Sequence, residues 1–412
     1  MNGNKNNNVQ SILSRISAEI PKILFGRERQ QHTIRLLAKL SEKEREILKA
    51  KFDQFLKIMI RKESSDIDLG GLGCDGKIWY RIHGTKKPEE QAGQHNLDET
   101  DILILNILSN KDQEFLLKHR FVDFSYRVNH GNDWVRFRAT AYFELNHLGL
   151  NMRMINSLIR PLKNLELHSE VIKLLSLKFV RHGLILITGI TGSGKSSTLD
   201  TIIDANNRTS YSHIVIISNP VEYVHPCKKS IVRHREVGRD VLSFKDGTIQ
   251  ALRQDPDIIV IGEMRDAVTI STVLEVADSG HKVFSTLHTS SSTESIDRIL
   301  GETPPAEQKR IRERLADVLT CVISQKLVPG LDGKLVLAKE VLVATGAVRT
   351  AIRNGNTDEI YQLIYQSSHL GMITMEQDLV RLYQREKISY EEAYGHANIK
   401  KRFEDLIKYY KP

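Results

Sequence analysis

The stretch "GLILITGITGSGKSSTLDTIID", Gly183 to Asp204, decides the fold. Its centre, Gly189 to Ser196, satisfies the pattern G-x-x-x-x-G-K-[ST] of a phosphate-binding loop. The apolar run "LILIT" leads directly into this loop, and "SSTLDTIIDANN" continues from it in a helical pattern. A strand, a loop and a helix in this order are the context that the pattern requires. The stretch therefore predicts a nucleotide-binding loop, or P-loop, inside an α/β domain.

The residues of this P-loop have separate chemical roles. Its glycines let backbone N–H groups turn toward phosphate oxygens, and the helix N-terminus adds the positive end of its dipole. Lys195 is placed to neutralise the outer phosphates, and Ser196 is placed to offer a hydroxyl to Mg²⁺. The only approach to a guanine-reading tetrad, "NKDQ" at 110–113, has Gln113 where Asp is needed, so ATP is favoured over GTP. The expected ATP-binding residues are Gly189, Thr191, Gly192, Ser193, Gly194, Lys195, Ser196 and Ser197.

The chain beyond residue 160 alternates strands with helices. The apolar runs "GLILITG", "SHIVIIS", "DIIVIG" and "KVFSTLH" are separated by helical stretches, which is typical of a parallel sheet covered by helices. In an open parallel sheet, the carboxyl ends of the strands converge on the ligand crevice. Polar side chains at those ends are therefore candidates for catalysis.

Four side chains near strand ends are candidate catalytic residues. Glu222, on a turn fixed by a proline, is placed to orient and deprotonate the attacking water, although a solvated turn carboxylate is the simpler interpretation. Glu263 follows the buried strand "DIIVI", with Gly262 where many nucleotide hydrolases have Asp. His281 precedes the strand "KVFSTL" and His288 follows it. Either histidine could sense the γ-phosphate, although a lone histidine is more often structural.

The first 160 residues predict two further segments. Residues 1–60 form a basic helical N-terminal extension, with a capping box in "SEKE". Residues 61–160 form an α+β domain with strand-like runs, a charged helical stretch at 98–118, and the hairpin "FVDFSYRVNHGNDWVRFRATAYFEL" around a His-Gly-Asn turn. Residues 161–412 form the nucleotide-binding domain with a helical C-terminal part.

Composition limits the class of protein. At 412 residues, the chain exceeds the size at which one core keeps growing, so more than one domain is expected. The net charge of +8 suits an anionic partner or simply a solvated basic surface. Cys74, Cys227 and Cys321 form no C-x-x-C pair, which argues against a disulfide framework and a four-cysteine zinc site. No apolar run approaches the roughly 18 residues of a membrane span, so we expect a cytoplasmic protein without a transmembrane segment.

The motifs together resemble one known family. The segments "GITGSGKSST", "NPVEYVH", "REVGRD", "ALRQDPDIIVIGEMRD", "SGHKVFSTLHTSSS" and "DRIL" stand in the order and approximate spacing of the type II/type IV secretion ATPase superfamily. The continuation "ISQKLV", "AVRTAIRNGNTDEI" and "GMITMEQDL" resembles its twitching-motility branch, the PilT-like pilus retraction ATPases. The resemblance covers residues 60–400 and is most specific over 183–300.

This resemblance implies a fold and a machine. The fold is a RecA-like ATPase domain with a parallel-sheet core, preceded by a smaller α+β, PAS-like domain. The machine is a homo-hexamer that hydrolyses ATP with Mg²⁺ and powers type IV pilus retraction through an inner-membrane platform protein. The protein would then be cytoplasmic and peripheral to the inner membrane. No nucleic-acid partner is expected, because aromatic residues are only 6% of the chain and do not interleave with basic ones.

The resemblance also assigns roles to residues. It makes Glu222 the general base and Glu263 a residue that acts through the metal or its water. It places His281 and His288 in a histidine box. Charge neutralisation is the chemical reason for arginines at a transferred phosphoryl group. The candidates to approach the γ-phosphate from the N-terminal domain are Arg136, Arg138 and Arg153.

The chain departs from the family pattern just before Glu222. Where the family usually has two acidic residues, this chain has Ser218 and Asn219, so it keeps only the last carboxylate of the box. Four alternatives to a retraction motor stay open. They are a type IVB secretion or conjugation (DotB-like) ATPase, a pilus-assembly ATPase, a nucleic-acid motor, and a regulatory member that binds nucleotide without hydrolysing it.

Overall fold

The structure is a computed structural model that describes residues 3–82, 85–131, 133–155 and 159–409. The chain divides into two units, Met1–Ser157 and Leu158–Pro412. The domain limits expected at residues 60 and 160 stay predictions, and residues 156–158, which adjoin the second limit, lie outside the described ranges.

The N-terminal unit combines helices with one antiparallel sheet. In the sheet the strand order is β3-β2-β1-β6-β5-β4. The predicted hairpin is the β4–β5 pair, and residue 132 of its expected turn lies outside the described residues. The helices are α1 (Gly3–Glu19), α2 (Gly26–Ala38), α3 (Glu42–Arg61), α4 (Leu97–Ile107) and α5 (Asn110–His119). The strands are β1 (Asp66–Gly70), β2 (Trp79–Ile82), β3 (Thr85–Pro88), β4 (Phe121–His130), β5 (Asp133–Glu144) and β6 (His147–Ile155).

The helical stretch predicted at 98–118 is two helices rather than one. The backbone at Leu108 is extended (ψ 140°), which ends α4. Ser109 then caps α5, because its side chain accepts a hydrogen bond from Asp112 N at 3.2 Å. A serine followed three residues later by an acidic residue is a start signal for a new helix.

The helices expected as a basic extension are built into the core of this unit. The capping box that begins α3 is present as predicted. Leu13, Leu37 and Phe52, one from each of the first three helices, are at most 1% exposed and belong to one apolar cluster with the sheet. Gln30 Nε2 also donates to the buried Asp101 carboxylate of α4 at 2.6 Å. All three helices therefore contribute side chains to the core of the N-terminal unit.

The C-terminal unit is a seven-stranded sheet with helices around it. The strands are β7 (Gly183–Thr188), β8 (His213–Ser218), β9 (Ile231–Glu236), β10 (Ile258–Ile261), β11 (Lys282–Leu287), β12 (Leu319–Pro329) and β13 (Leu335–Val343). The helices are α6 (Ser169–Leu175), α7 (Lys195–Thr209), α8 (Phe244–Leu252), α9 (Ala267–Asp278), α10 (Ser292–Gly301), α11 (Gln308–Val318), α12 (Gly346–Asn354), α13 (Thr357–Gln366), α14 (Met375–Gln384), α15 (Tyr390–His396) and α16 (Lys400–Tyr409).

The order of these strands is β13-β12-β7-β11-β10-β8-β9. Every neighbouring pair is parallel except β12–β13. The four predicted strands are confirmed as β7, β8, β10 and β11, and they lie side by side at the centre of the sheet. The RecA-like α/β class with a parallel core is thereby confirmed, together with the smaller α+β unit.

Both faces of the sheet are covered, which explains the unbroken apolar runs. Along β7, Leu184 and Leu186 belong to one apolar cluster, whereas Ile185 and Ile187 belong to a second cluster. Because successive side chains of a strand point to opposite faces, a strand buried on both sides must be apolar at every position. Among the described residues, we find no helix with both the length and the apolar character needed to cross a membrane.

Candidate nucleotide-binding site

The P-loop joins β7 to α7 and needs glycine at its first position. Gly189 has φ +152°, and a Cβ there would lie 2.3 Å from Ser193 Oγ and 2.6 Å from Gln325 O. Gly194, which ends the loop, has φ +85°. A side chain at either position would be strained, and at Gly189 it would also collide with the loop itself. The glycine spacing seen in the sequence is therefore a steric requirement of this turn.

Lys195 occupies the inside of the loop. Its side chain is buried, and Nζ donates to the carbonyl oxygens of Gly189 at 2.7 Å and Ile190 at 3.1 Å. Burial lowers the pKa of this ammonium, whereas the negative charges of Glu263 and Glu222 raise it. The cation therefore lies within electrostatic reach of both predicted catalytic carboxylates.

The site fits the phosphates of a nucleotide. The loop encloses a concave backbone with a buried cation, and α7 directs its N-terminus into it. Ser196, in the first turn of α7, is partly exposed and is the hydroxyl that would hold Mg²⁺. Of the other predicted residues, Ser193 is buried, while Thr191, Gly192 and Ser197 form the exposed rim.

The carboxyl end of β10 packs against the end of β8. Gly262 N donates to Ile217 O at 2.8 Å, and a Cβ at Gly262 would lie 3.1 Å from Ser218 Cβ. Thr286 Oγ1, from the neighbouring strand β11, donates to Gly262 O at 2.6 Å. An aspartate at position 262 would therefore crowd Ser218, which gives a steric reason for the glycine that precedes Glu263.

Glu263 has two basic neighbours. His288 Nε2 lies 3.2 Å from Glu263 Oε1, and Arg265 Nε donates to Glu263 Oε2 at 2.7 Å. Burial and the positive charge of Lys195 lower the pKa of His288, against the opposing effect of Glu263. The imidazole is therefore neutral at neutral pH, and with its proton on Nε2 it donates to the carboxylate. The structure thus brings Lys195, Glu263 and His288 together, as the sequence predicts.

Glu222 lies on the loop between β8 and β9. The bond between Asn219 and Pro220 is cis, and the following Val221 N donates to Glu236 Oε2 at 3.0 Å. The Glu222 side chain is exposed, and its charge acts on Lys195. The loop therefore presents a carboxylate to the same edge of the sheet as the P-loop.

His281 is not brought to this site. It precedes β11, and its backbone oxygen accepts from Gly183 N, at the start of β7. The P-loop follows the other end of β7, so a strand of six residues, about 20 Å at roughly 3.3 Å per residue, separates the two. Its ring lies 2.9 Å from Ser279 Oγ instead. A residue before a parallel strand lies at the amino edge of the sheet, so His281 and His288 lie at opposite edges within this chain, and a role for His281 in the histidine box stays a prediction.

The three candidate arginines share one face of the N-terminal sheet. Arg136 and Arg138 are two residues apart on β5, and Arg138 is paired directly with Arg153 on β6. Arg153 Nε donates to Asp66 Oδ1 at 2.8 Å. The opposite face carries buried residues such as Phe137. Because strand side chains alternate between faces, the arginines form one basic surface on the solvent side of this sheet.

Gln325 supports the P-loop and is absent from the predicted set. It lies on β12, is 1% exposed, and its Nε2 donates to Ser193 O at 2.7 Å. Next to it, Ser324 Oγ accepts from Thr188 Oγ1 at 2.8 Å, which ties β12 to the end of β7. The motif "ISQKLV" was visible in the sequence, but no spacing rule connects it to a loop 132 residues earlier in the chain.

Comparisons with known proteins show which proteins this chain is similar to. The family model described as "Type II/IV secretion system protein" matches residues 41–405. The chain is 40% identical to the type IV pilus retraction ATPase PilT of Pseudomonas aeruginosa, over 73% of this chain and 86% of that protein. It superimposes on a crystal structure of the pilus retraction motor PilT with bound ADP, with TM-score 0.77, 36% identity, and coverage of 86% and 98%. It also superimposes on the ATPase DotB of Legionella pneumophila, with TM-score 0.70, 26% identity, and coverage of 84% and 94%.

Proposed function

The chain belongs to the type II/IV secretion system protein family, and from this premise we propose that it is an ATP-hydrolysing motor that powers type IV pilus retraction. The observation that carries the proposal is the P-loop with its buried cation Lys195 at the carboxyl edge of the sheet, where Glu263 also lies in contact with His288. The 40% identity to the pilus retraction ATPase of Pseudomonas aeruginosa supports retraction as the direction of work.

In the proposed mechanism, the backbone N–H groups of the P-loop and Lys195 bind the phosphates of ATP. Lys195 exchanges its contacts with the Gly189 and Ile190 carbonyls for contacts with phosphate oxygens. Ser196 would hold Mg²⁺, and the ion would neutralise charge on the phosphates. Glu263 is oriented by His288 and Arg265 and would bind that ion through its water.

Glu222 is the proposed general base. Its side chain is solvent-exposed and held on a loop rather than buried in the sheet, so it can reach the water that attacks the γ-phosphate. Phosphoryl transfer depends mainly on positioning and charge neutralisation, which explains why a single carboxylate suffices where the family usually has three.

We further propose a homo-hexamer in which the basic face with Arg136, Arg138 and Arg153 completes the site of a neighbouring subunit. Such a ring would work on a platform protein at the cytoplasmic face of the inner membrane. The similarity to DotB favours a second candidate function, a secretion motor, at lower sequence identity.

The base assignment is tested by Glu222→Gln, which keeps the size of the side chain and removes its basicity. We expect phosphate release to fall about 100-fold or more, because general-base catalysis contributes roughly 10²–10⁴. Affinity for ADP should change far less than the rate, since the P-loop itself is unchanged. Phosphate release at the wild-type rate would exclude Glu222 as the base, and no turnover by wild type would favour the regulatory alternative.

The biological direction is tested by deleting the gene and scoring piliation, surface motility and secretion together. Excess pili without motility would indicate a retraction motor. Loss of pili would indicate a pilus-assembly motor, and loss of secretion with normal pili would indicate the DotB-like secretion motor.

A further inference from the structure

The loop that carries Glu222 is fixed at its start by β9. Val221, one residue before Glu222, is 4% exposed, and its N–H donates to Glu236 Oε2. Nothing in this contact fixes the chain on the other side of Glu222. The position of the carboxylate therefore also depends on residues 223–230, which lead from Glu222 to β9.

His225, three residues after Glu222, is the buried anchor of residues 223–230. Its side chain is fully buried, and Nε2 lies 3.0 Å from Asp200 Oδ1. Its backbone N–H donates to His234 Nε2 at 3.0 Å, and the Tyr223 ring lies edge-on at 4.7 Å. Among the described residues, the buried Nδ1 has no hydrogen-bond partner. A proton there would have no acceptor, so the favoured tautomer carries it on Nε2 and donates to Asp200.

The helix that receives this hydrogen bond holds the rest of the loop as well. Asp200, Asp204 and Asn207 lie at positions i, i+4 and i+7 of α7, on one face. Asp204 forms an ion pair with Lys228. Asn207 Nδ2 donates to Pro226 O at 2.8 Å, and Asn207 Oδ1 accepts from Lys228 N at 3.1 Å. The second half of the Glu222 loop is therefore laid along α7.

The same helix begins in the P-loop. Ser196 and Asp200 are four residues apart in α7, so they lie on one face about 6 Å apart along the axis. Ser196, whose hydroxyl is proposed to hold Mg²⁺, and Asp200, which anchors the Glu222 loop, are thus one turn apart on the same helix. Reacting groups must be held in near-attack geometry, and a shift of about 1 Å can cost about 100-fold in rate.

From these contacts we infer that Asp200 and His225 are positioning residues, which fix the Glu222 carboxylate relative to the P-loop through one hydrogen bond to α7. The inference rests on the proposed role of Glu222 as the base. Neither residue belongs to the P-loop; both act through the loop that carries Glu222.

The test compares Asp200→Ala, Asp200→Asn and the control Asp257→Ala. Asp257 is also an aspartate with a hydrogen bond to protein, 2.8 Å from His213 N, but it lies at the amino edge of the sheet. For Asp200→Ala we expect kcat to fall about 10–100-fold with KM for ATP and the Kd for ADP within about 2-fold. Asp200→Asn keeps an oxygen acceptor for Nε2–H and should recover most of the rate. Asp257→Ala should leave kcat unchanged.

A readout independent of turnover is hydrogen–deuterium exchange in the nucleotide-free protein. Amides of residues 225–230 should exchange faster in Asp200→Ala, with no change in the P-loop peptide. His225→Ala removes the same hydrogen bond from the loop side. This variant replaces Asp200→Ala in the experiment if Asp200→Ala does not fold. Unchanged exchange in this segment, or equal losses of kcat and ADP affinity, would overturn the inference.

A double-mutant cycle with Glu222→Gln separates the possible failures. If Asp200 acts through Glu222, adding Asp200→Ala to Glu222→Gln should cost no further rate, because the group being positioned has already lost its function. If Asp200→Ala lowers the rate in the Glu222→Gln background as much as it does in the wild type, the inference is wrong and the base assignment still stands. Wild-type turnover in Glu222→Gln would remove the base assignment, and the inference would fall with it.

Discussion

His288, the imidazole beside Glu263, has a lowered pKa. Its folded-state pKa is lower than its ordinary 6.5, through burial and the positive charge of Lys195. A group with a lowered pKa binds fewer protons in the folded than in the unfolded state. Its contribution to stability is thus present above pH 6.5 and is lost as the pH falls toward the folded pKa.

We therefore expect acid to destabilise the wild type more than His288→Gln. The measurement is the midpoint of thermal unfolding at pH 7.5 and pH 5.5 for both proteins, without nucleotide. His182, which precedes β7 at the other edge of the sheet and is exposed, provides a matched control as His182→Gln. An equal loss of Tm in wild type and His288→Gln would contradict the expectation.

The ion pair between Arg265 and Glu263 lies at the surface on its arginine side. The arginine side chain is 66% exposed and the carboxylate 19% exposed, and their ion pair is 2.7 Å long. Exposed ion pairs contribute about 0–1 kcal/mol, so this contact orients Glu263 more than it stabilises the fold.

At the scale of elements, the contact between the ends of β8 and β10 links two departures from common patterns. Gly262 stands where many hydrolases have Asp, and Ser218 stands where the family usually has an acidic residue. The two positions are in contact, because a Cβ at 262 would lie 3.1 Å from Ser218 Cβ. The small size of Gly262 and of Ser218 therefore lets the two positions lie in contact.

This contact predicts coupling between the two positions. Gly262→Ala should destabilise the protein by about 1–3 kcal/mol, the usual cost of overpacking. Ser218→Gly should remove part of that cost in the double variant, so that the two effects are not additive. Equilibrium unfolding in urea of the wild type, both single variants and the double variant provides the measurement. Strict additivity would mean that the backbone around Ile217, rather than Ser218, limits the space.

Helix α7 has two structural roles, in the P-loop and in holding the chain that follows Glu222. Its first turn belongs to the P-loop, and its later turns hold the chain that follows Glu222. The amphipathic pattern of "STLDTIIDANN" predicts a helix. It does not indicate which residues the polar side chains of that helix contact.

At the scale of the whole molecule, the proposed ring predicts complementation between two inactive variants. Lys195→Ala should abolish nucleotide use in its own subunit, whereas Arg136→Ala should impair the site of a neighbour. Mixing the two after subunit exchange should restore part of the ATPase rate, because some sites then combine an intact P-loop with an intact basic face. ATPase rate against mixing ratio is the measurement.

Arg35→Ala is the control for this experiment, because Arg35 is exposed on α2 of the same unit but outside the basic face. Arg35→Ala alone should keep the wild-type rate. A rate that never exceeds the sum of the two variants measured separately would contradict an arginine supplied between subunits.

The predicted site residues differ in how far the sequence could place them. Lys195, Ser196, Glu263 and His288 each follow a strand whose apolar run is unmistakable, and parallel strands bring their carboxyl ends to one edge. The same rule places His281 at the opposite edge, since it precedes its strand. The helical stretch expected at 98–118 is present, and Ser109, which caps α5, divides it into two helices.

The sequence by itself determined the P-loop, the parallel core and the family, because these depend on local patterns: glycine spacing, apolar runs and the order of motifs. Only the tertiary structure decided that Gln325 supports the P-loop, that Ser218 and Gly262 share a space, and that His225 donates to Asp200. It also decided that α1 to α3 belong to the core of the N-terminal unit. The physical reason is that such contacts join distant parts of the chain. Strand order, register and side-chain packing fix them, and no local period encodes any of these.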